Sequence, residues 1–154
     1  MDTSLIVPIV ARWAHVLAAV VAIGGVVFMR FVLMPAADEA LDQEQHTALR
    51  EKLIARWKIV VMACITLLLL SGTYNFMTIG MEKAKEVGPM YHALFGIKVL
   101  AALGVFFLAS VLTGRSPAFE SLRSNSKKWL AITAGLGILV VLISGVLSRL
   151  GSGG

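Results

Sequence analysis

The fold is decided by residues 59–81, which read IVVMACITLLLLSGTYNFMTIGM and carry no charged side chain. Residues 129–148, which read WLAITAGLGILVVLISGVLS, form a second uncharged run. An α-helix rises about 1.5 Å per residue, so each run is long enough to cross about 30 Å of hydrocarbon. Neither run alternates apolar and polar residues as barrel strands do. Both runs therefore predict transmembrane helices.

Two further apolar segments extend from about residue 5 to 34 and from about residue 87 to 113. Four spans of roughly 22 residues leave only short loops in a chain of this length. We therefore predict an all-α protein, an antiparallel four-helix bundle formed as a single membrane domain by residues 1–150. Residues 151–154 are expected to be a flexible tail. Gly135, Gly137 and Gly145 predict close packing of the fourth helix.

The composition supports a membrane protein and excludes several other classes. Hydrophobic residues make up 58% of the chain and charged residues 15%, whereas soluble domains are about 45–50% apolar. The single cysteine, Cys64, excludes an internal disulfide and a cysteine-based zinc cluster. The net charge of +5 suggests cytoplasmic loops before it suggests nucleic acid, and no nucleic-acid partner is expected.

The loop charges predict the orientation in the membrane. Pro35 is expected to close the first helix, and Gly88-Pro89 to open the third. The first loop, 36–56, is expected to contain a short amphipathic surface helix. By the positive-inside rule the first and third loops are cytoplasmic, so both termini lie outside. The basic residues that set this orientation are Arg50, Lys52, Arg56, Lys58, Arg115, Arg123, Lys127 and Lys128.

Two histidines lie within the predicted spans, where ionisable residues are costly and suggest functional sites. His15 is 20 residues before Pro35, and His92 is 22 residues before Gly114. At about 1.5 Å per residue, both stand about 30 Å above the cytoplasmic helix ends. Both are therefore predicted near the outer boundary of the hydrocarbon. Other polar side chains near this height are Tyr74, Asn75 and Tyr91.

The face of the first helix around His15 suits a flat ligand such as haem. Ala18, Ala19 and Ala22 form a stripe of small side chains below the histidine. A macrocycle could approach the helix there, with iron bound by His15 and a propionate paired with Arg12. His92 would supply the second axial bond. The alternatives are that the small residues serve helix packing and that Arg12 extends to the interface.

Lys98 is the third ionisable residue inside a span. It lies 16 residues before Gly114, and no acidic residue lies within any predicted span. The alternatives are that Lys98 is neutral, that it reaches a water-filled cavity, that it pairs with an anion such as a haem propionate or an acidic substrate, or that it extends along the helix to the interface. Lys98 is the candidate catalytic residue.

Methionine and histidine side chains near the outer face offer a competing copper chemistry. Thioether and imidazole ligands suit Cu(I). Methionine is also an ordinary apolar residue of helix interfaces. The candidate copper ligands are His15, His92, Met77, Met81 and Met90.

Short motifs along the chain resemble those of one membrane superfamily. Residues 12–15 (RWAH), 24–25 (GG) and 30–32 (RFV), followed by Pro35, resemble the first helix of the CopD-like copper-resistance membrane proteins. They are also similar to the related bacterial four-helix protoporphyrinogen oxidases. Residues 71–75 (SGTYN) and 91–98 (YHALFGIK) resemble the second and third helices of the same superfamily.

The resemblance implies a multi-pass protein of the bacterial inner membrane. The oxidase branch implies haem b and oxidation of protoporphyrinogen IX, and its functional histidines and lysine correspond to His15, His92 and Lys98. The copper-resistance branch implies copper transport with a periplasmic copper-binding partner.

The leading hypothesis is a b-type haem protein, with His15 and His92 as axial ligands. It would serve electron transfer or a redox step on a small membrane-accessible substrate. The alternatives are a copper-binding or copper-transport protein, a protoporphyrinogen IX oxidase, and a structural subunit that binds a partner helix. The sequence does not decide whether the protein is a haem-dependent oxidoreductase, whether it has a redox partner or whether it forms a homodimer. The lipid bilayer is its expected environment.

Overall fold

The first long helical stretch of the chain continues past Pro35. The computed structural model describes residues 3–150, with side chains from residue 6, so the expected tail at 151–154 lies outside the described residues. Helix α1 (Thr3–Phe28) continues through a π-helical turn (Met29–Leu33) into α2 (Met34–Ala40). The described part is almost entirely helical and contains no strand, which confirms the all-α prediction.

The remaining helices follow with short connections. Helix α3 (Gln43–Asn75) continues through a second π-helical turn (Phe76–Gly80) into α4 (Met81–Val87). Helix α5 (Pro89–Thr113) is followed by a 3-10 turn (Pro117–Phe119). The chain then forms the short α6 (Glu120–Ser124) and the long α7 (Ser126–Arg149).

Four helical stretches are long and apolar enough to cross a membrane. Their large apolar side chains are exposed over an area that is unfavourable in water. Ile59, Leu70 and Leu100, for example, are 72%, 67% and 71% exposed. Lipid tails solvate such surfaces, so these properties are those of a multi-pass membrane protein. The four stretches are Ile6–Ala40, Gln43–Val87, Pro89–Thr113 and Ser126–Arg149.

The prediction that Pro35 closes the first helix is wrong. The backbone N–H of Met34 bonds to the carbonyl of Met29, five residues earlier, at the end of the π-helical turn. This wider turn comes immediately before Pro35, which has no N–H and whose ring would clash with a regular α-helical turn. The π-helical turn therefore accommodates the proline, and the helix continues to Ala40.

The predicted loop at 36–56 is also wrong, because only Leu41 and Asp42 separate α2 from α3. Asp42 begins α3 with a capping box: its Oδ1 accepts from the Gln45 N–H at 2.8 Å, and Gln45 Oε1 accepts from the Asp42 N–H at 3.4 Å. The expected amphipathic segment is helical, but it is the first part of α3 and not a separate helix.

The boundaries of the third span match the prediction. Gly88 has a φ of 77°, a left-handed conformation that glycine adopts without strain, and it ends the helical conformation between α4 and α5. Pro89 then begins α5 in the first turn, where its missing N–H costs nothing. Gly114 caps the end of α5.

The four spans contact one another in a closed ring. Helix α1 packs on α3, α3 on α5, α5 on α7, and α7 on α1. At one end, Arg50 donates to the Arg123 carbonyl and Lys127 pairs with Asp38. At the other end, Lys83 donates to the Ser148 carbonyl. The two predicted basic loops therefore meet at the same end of the molecule.

Two glycines allow close approach between neighbouring spans. At Gly25 of α1, an added Cβ would overlap the Trp57 ring of α3. At Gly137 of α7, it would lie 3.0 Å from Ile23 of α1, so the predicted packing role is confirmed there. Gly135 and Gly145 have no such neighbour within 4 Å, so the packing prediction is wrong for these two residues.

A pair of adjacent substitutions tests this contact. We expect Gly25→Ala to lower the free energy of unfolding by about 1–3 kcal/mol, because the indole of Trp57 must shift. The matched control is Gly24→Ala, whose Cβ would have no neighbour within 4 Å. It should be neutral or stabilising by up to about 1 kcal/mol, since alanine favours helix. Thermal unfolding in detergent micelles measures both, and equal destabilisation of the two variants would contradict the packing.

Candidate functional site

The His15 side chain lies half-buried on α1 and faces α3. Its Nδ1 lies 3.0 Å from the Ser71 hydroxyl oxygen, and Ser71 itself is buried. An imidazole inside a membrane span is thus within hydrogen-bond distance of a hydroxyl group on a neighbouring helix.

The second hydrogen-bond partner of Ser71 indicates which ring nitrogen carries the proton. The Ser71 hydroxyl lies within hydrogen-bond distance of the Leu67 carbonyl in its own helix. A hydroxyl has one hydrogen, so when Ser71 donates to Leu67 it can only accept from His15. In this arrangement Nδ1 carries the imidazole proton, and Nε2 carries the free lone pair.

A glycine on α3 makes room for the ring. A Cβ added at Gly72 would lie 3.2 Å from His15 Cε1 and 3.6 Å from Nδ1, while Nε2 is more than 4 Å away. The Nδ1–Cε1 edge of the imidazole therefore rests on α3. A larger side chain at position 72 would press on that edge.

Lys98 of α5 is the second ionisable group of the site. It is half-buried and close enough to His15 for an electrostatic interaction. Among residues 3–150 it forms no ion pair with an acidic side chain. Three spans thus contribute to one polar cluster, which we call the His15 cluster: His15, Ser71, Gly72 and Lys98. It places an imidazole and an amine from two different spans in one region of the protein.

His92 is not part of the His15 cluster. Its side chain is exposed in the first turn of α5, and it is absent from the hydrogen bonds and electrostatic partners of His15. Its neighbour Tyr91 is buried and stacks on Phe95, with ring centroids 6.2 Å apart. Phe95 in turn stacks on Phe76 at 4.4 Å.

The other predicted site residues are dispersed around the cluster. Arg12 is exposed, Ala18 is buried, and Ala19 and Ala22 are half-buried. Trp57 of α3 fills the notch at Gly25 at the lower end of the alanine stripe. Tyr74 and Asn75 are half-buried. The three candidate copper ligands from methionine, Met77, Met81 and Met90, are all exposed, at 65%, 45% and 54%.

Ser71 and Gly72 are the residues of the site that were not candidates on sequence grounds. Both appear in the sequence only as part of the SGTYN motif. The available signal was a Ser-Gly pair that directly follows the leucines at 67–70. Within the part of the chain that the structure describes, no three His, Cys, Asp or Glu side chains come together as a metal-binding group.

Comparison with known proteins finds no matching family model, no similar curated protein and no similar solved structure.

The proton assignment on His15 can be tested by nitrogen NMR of histidine-labelled protein. We expect His15 to be protonated at Nδ1 in the neutral state. Ser71→Ala should shift the Nδ1 proton resonance, because one acceptor is lost. Thr66→Ala is the control, since Thr66 also bonds to a carbonyl of its own helix, at 2.9 Å from Met62 O. A His15 ring protonated at Nε2 in the unmodified protein would contradict the assignment.

Proposed function

We propose that the chain is a membrane protein that binds haem b through His15. The observation that carries this proposal is the contact of His15 Nδ1 with the Ser71 hydroxyl, which leaves Nε2 as the ring nitrogen available to a metal. Histidines that bind metals usually donate their other N–H to a fixed acceptor, which orients the ring and raises its basicity. Ser71 provides such an acceptor for His15.

His15, Gly72 and Lys98 are the residues of the His15 cluster that would hold a haem. His15 would be the ligand, Gly72 gives its ring space, and Lys98 would offer a positive charge to a propionate. The sequence argument assigns the second axial position to His92. The exposed His92 shares no contact with His15, so the proposal depends on His15 and not on the pair.

Haem b supplies one-electron chemistry when it is bound. The chain's own residues would set the conditions for it. Ser71 holds the imidazole in one tautomer, and the amine of Lys98 attracts a carboxylate into a region of low dielectric. Electron transfer, or a redox step on a small membrane-accessible substrate, is the function that this arrangement supports best. Oxidation of protoporphyrinogen IX would be one such step.

We further propose an antiparallel four-helix bundle in a bacterial inner membrane with both termini outside. The meeting of the two basic loops at one end supports this orientation, because that end carries most of the cationic side chains. The opposite end, around α4, has Lys83 and Lys85 offset by Glu82 and Glu86.

The first experiment is a visible spectrum of protein expressed with ample haem. We expect a Soret band, its loss in His15→Ala, and its retention in the control His46→Ala. His46 is a matched control because it is a half-buried histidine near the basic end, paired with Asp38 at 3.2 Å. Haem retained in full by His15→Ala would contradict the proposal.

Metal analysis of the same preparation separates the alternatives. Stoichiometric copper without iron, lost in Met77→Leu and Met81→Leu, would replace the haem proposal with a copper site. Neither metal, together with a co-purifying membrane protein, would favour a structural subunit.

The orientation has a separate test that uses single cysteines in a Cys64→Ala background. In sealed right-side-out vesicles, we expect an impermeant maleimide to label Lys85→Cys at the outer end. Ser116→Cys at the basic end should react only after detergent is added. Both positions are exposed, so access depends on the membrane and not on burial. The reverse labelling pattern would overturn the proposed orientation.

A further inference from the structure

A cleft of about 520 Å³ opens at the end of the molecule where α2, α3 and the α6–α7 connection meet. We call it the basic-end cleft. Residues of α2 form one wall, the first two turns of α3 form the second, and residues 124–128 form the third. The lining side chains that matter for binding are Met34, Leu41, His46, Arg50, Lys127 and Lys128.

The cleft carries an excess of positive charge. Arg50, Lys127 and Lys128 line it, and Asp38 is its single acidic lining residue. Asp38 is already engaged, by Lys127 and by His46. Lys128 forms no ion pair with any residue between 3 and 150. The cleft therefore attracts an anion that none of the described residues provides.

An apolar surface continues from this cleft along the first span. Met34 and Leu41 line the cleft itself. One or two turns away, Phe28 and Phe31 are 53% and 58% exposed on the first helical stretch. Arg30 joins the two regions: its Cζ lies 5.4 Å from the centre of the Phe31 ring, and its Nε donates to the Lys127 carbonyl at 2.8 Å. A ligand that fits has an anionic head and apolar chains.

We propose that the basic-end cleft binds the phosphate headgroup of an anionic phospholipid. The acyl chains lie against Phe28 and Phe31 and so remain in the hydrocarbon. Arg50 and Lys128 are the side chains that select the negative charge, since basic residues at a membrane surface attract anionic lipids. The inference rests on the membrane location of the chain and not on haem, so the failure of either proposal leaves the other testable.

The test uses the full chain in vesicles of phosphatidylglycerol and phosphatidylcholine mixed in equal amounts. After mild detergent extraction, mass spectrometry measures the ratio of the two lipids retained by the protein. We expect phosphatidylglycerol to be enriched, and the enrichment to fall about fivefold for each basic side chain removed from the cleft. The variants are Lys128→Gln, which breaks no ion pair, and Arg50→Gln with Lys128→Gln.

The matched control is Arg115→Gln with Lys58→Gln, which removes the same charge from exposed positions that do not line the cleft. Enrichment that survives in the control and falls in the cleft variants supports the proposal. Equal loss in both double variants would mean that net charge alone attracts the lipid, and would overturn it. Displacement of the lipid by millimolar inorganic phosphate would also overturn it, because the site would then be one for a soluble anion.

Discussion

The hydrocarbon core of a membrane contains no water to bond with a polar group, and this constraint governs the whole chain. Every backbone N–H and C=O in a span needs a partner within the protein, which the long helices provide. Several hydroxyl groups within the spans follow the same rule, since they donate to carbonyls one turn earlier in their own helix. This holds for Thr66, Ser71, Thr113, Thr133 and Ser144. Ser71 differs from the others because it also accepts from a second helix, at His15. The candidate site thus lies at Ser71, whose hydroxyl is hydrogen-bonded within its own helix and can still accept a second hydrogen bond from His15.

The number and type of the spans could be predicted from the sequence because they depend on summed hydrophobicity, a property of long segments. The extent of the first two helical stretches could not. Pro35 is a strong local signal for termination, but a π-helical turn of five residues at Met29–Leu33 removes the conflict. Such a turn depends on the packing of the whole segment and leaves no clear mark in the sequence. Asp42 and Gln45 did carry a local signal for the start of α3, since the capping-box spacing is visible in the chain.

The candidate site was predictable for residues whose chemistry is unusual in lipid. His15 and Lys98 were selected because an ionisable group inside a span is costly, and the structure brings these two within electrostatic reach of each other. Height along a helix was a poor guide to the rest. His92 stands at a similar predicted height but lies exposed on α5. Height follows from counting residues, whereas the facing direction depends on the rotation of each helix against its neighbours. Ser71 was missed for the related reason that a serine in a helix usually bonds only to its own backbone.

The two-residue connection at Leu41 and Asp42 has a mechanical meaning for the first half of the molecule. Two helical stretches of 35 and 45 residues are joined there by a connection too short to be flexible. Asp38, beside the turn, forms an ion pair with Lys127 of α7. A change in the tilt of one stretch is therefore transmitted directly to the other and to the amino-terminal end of α7. His15 and Ser71 lie on the two arms of this hairpin, far from the turn. A small change of angle at the turn would thus produce a larger displacement at the imidazole, because His15 lies at the far end of its helical stretch.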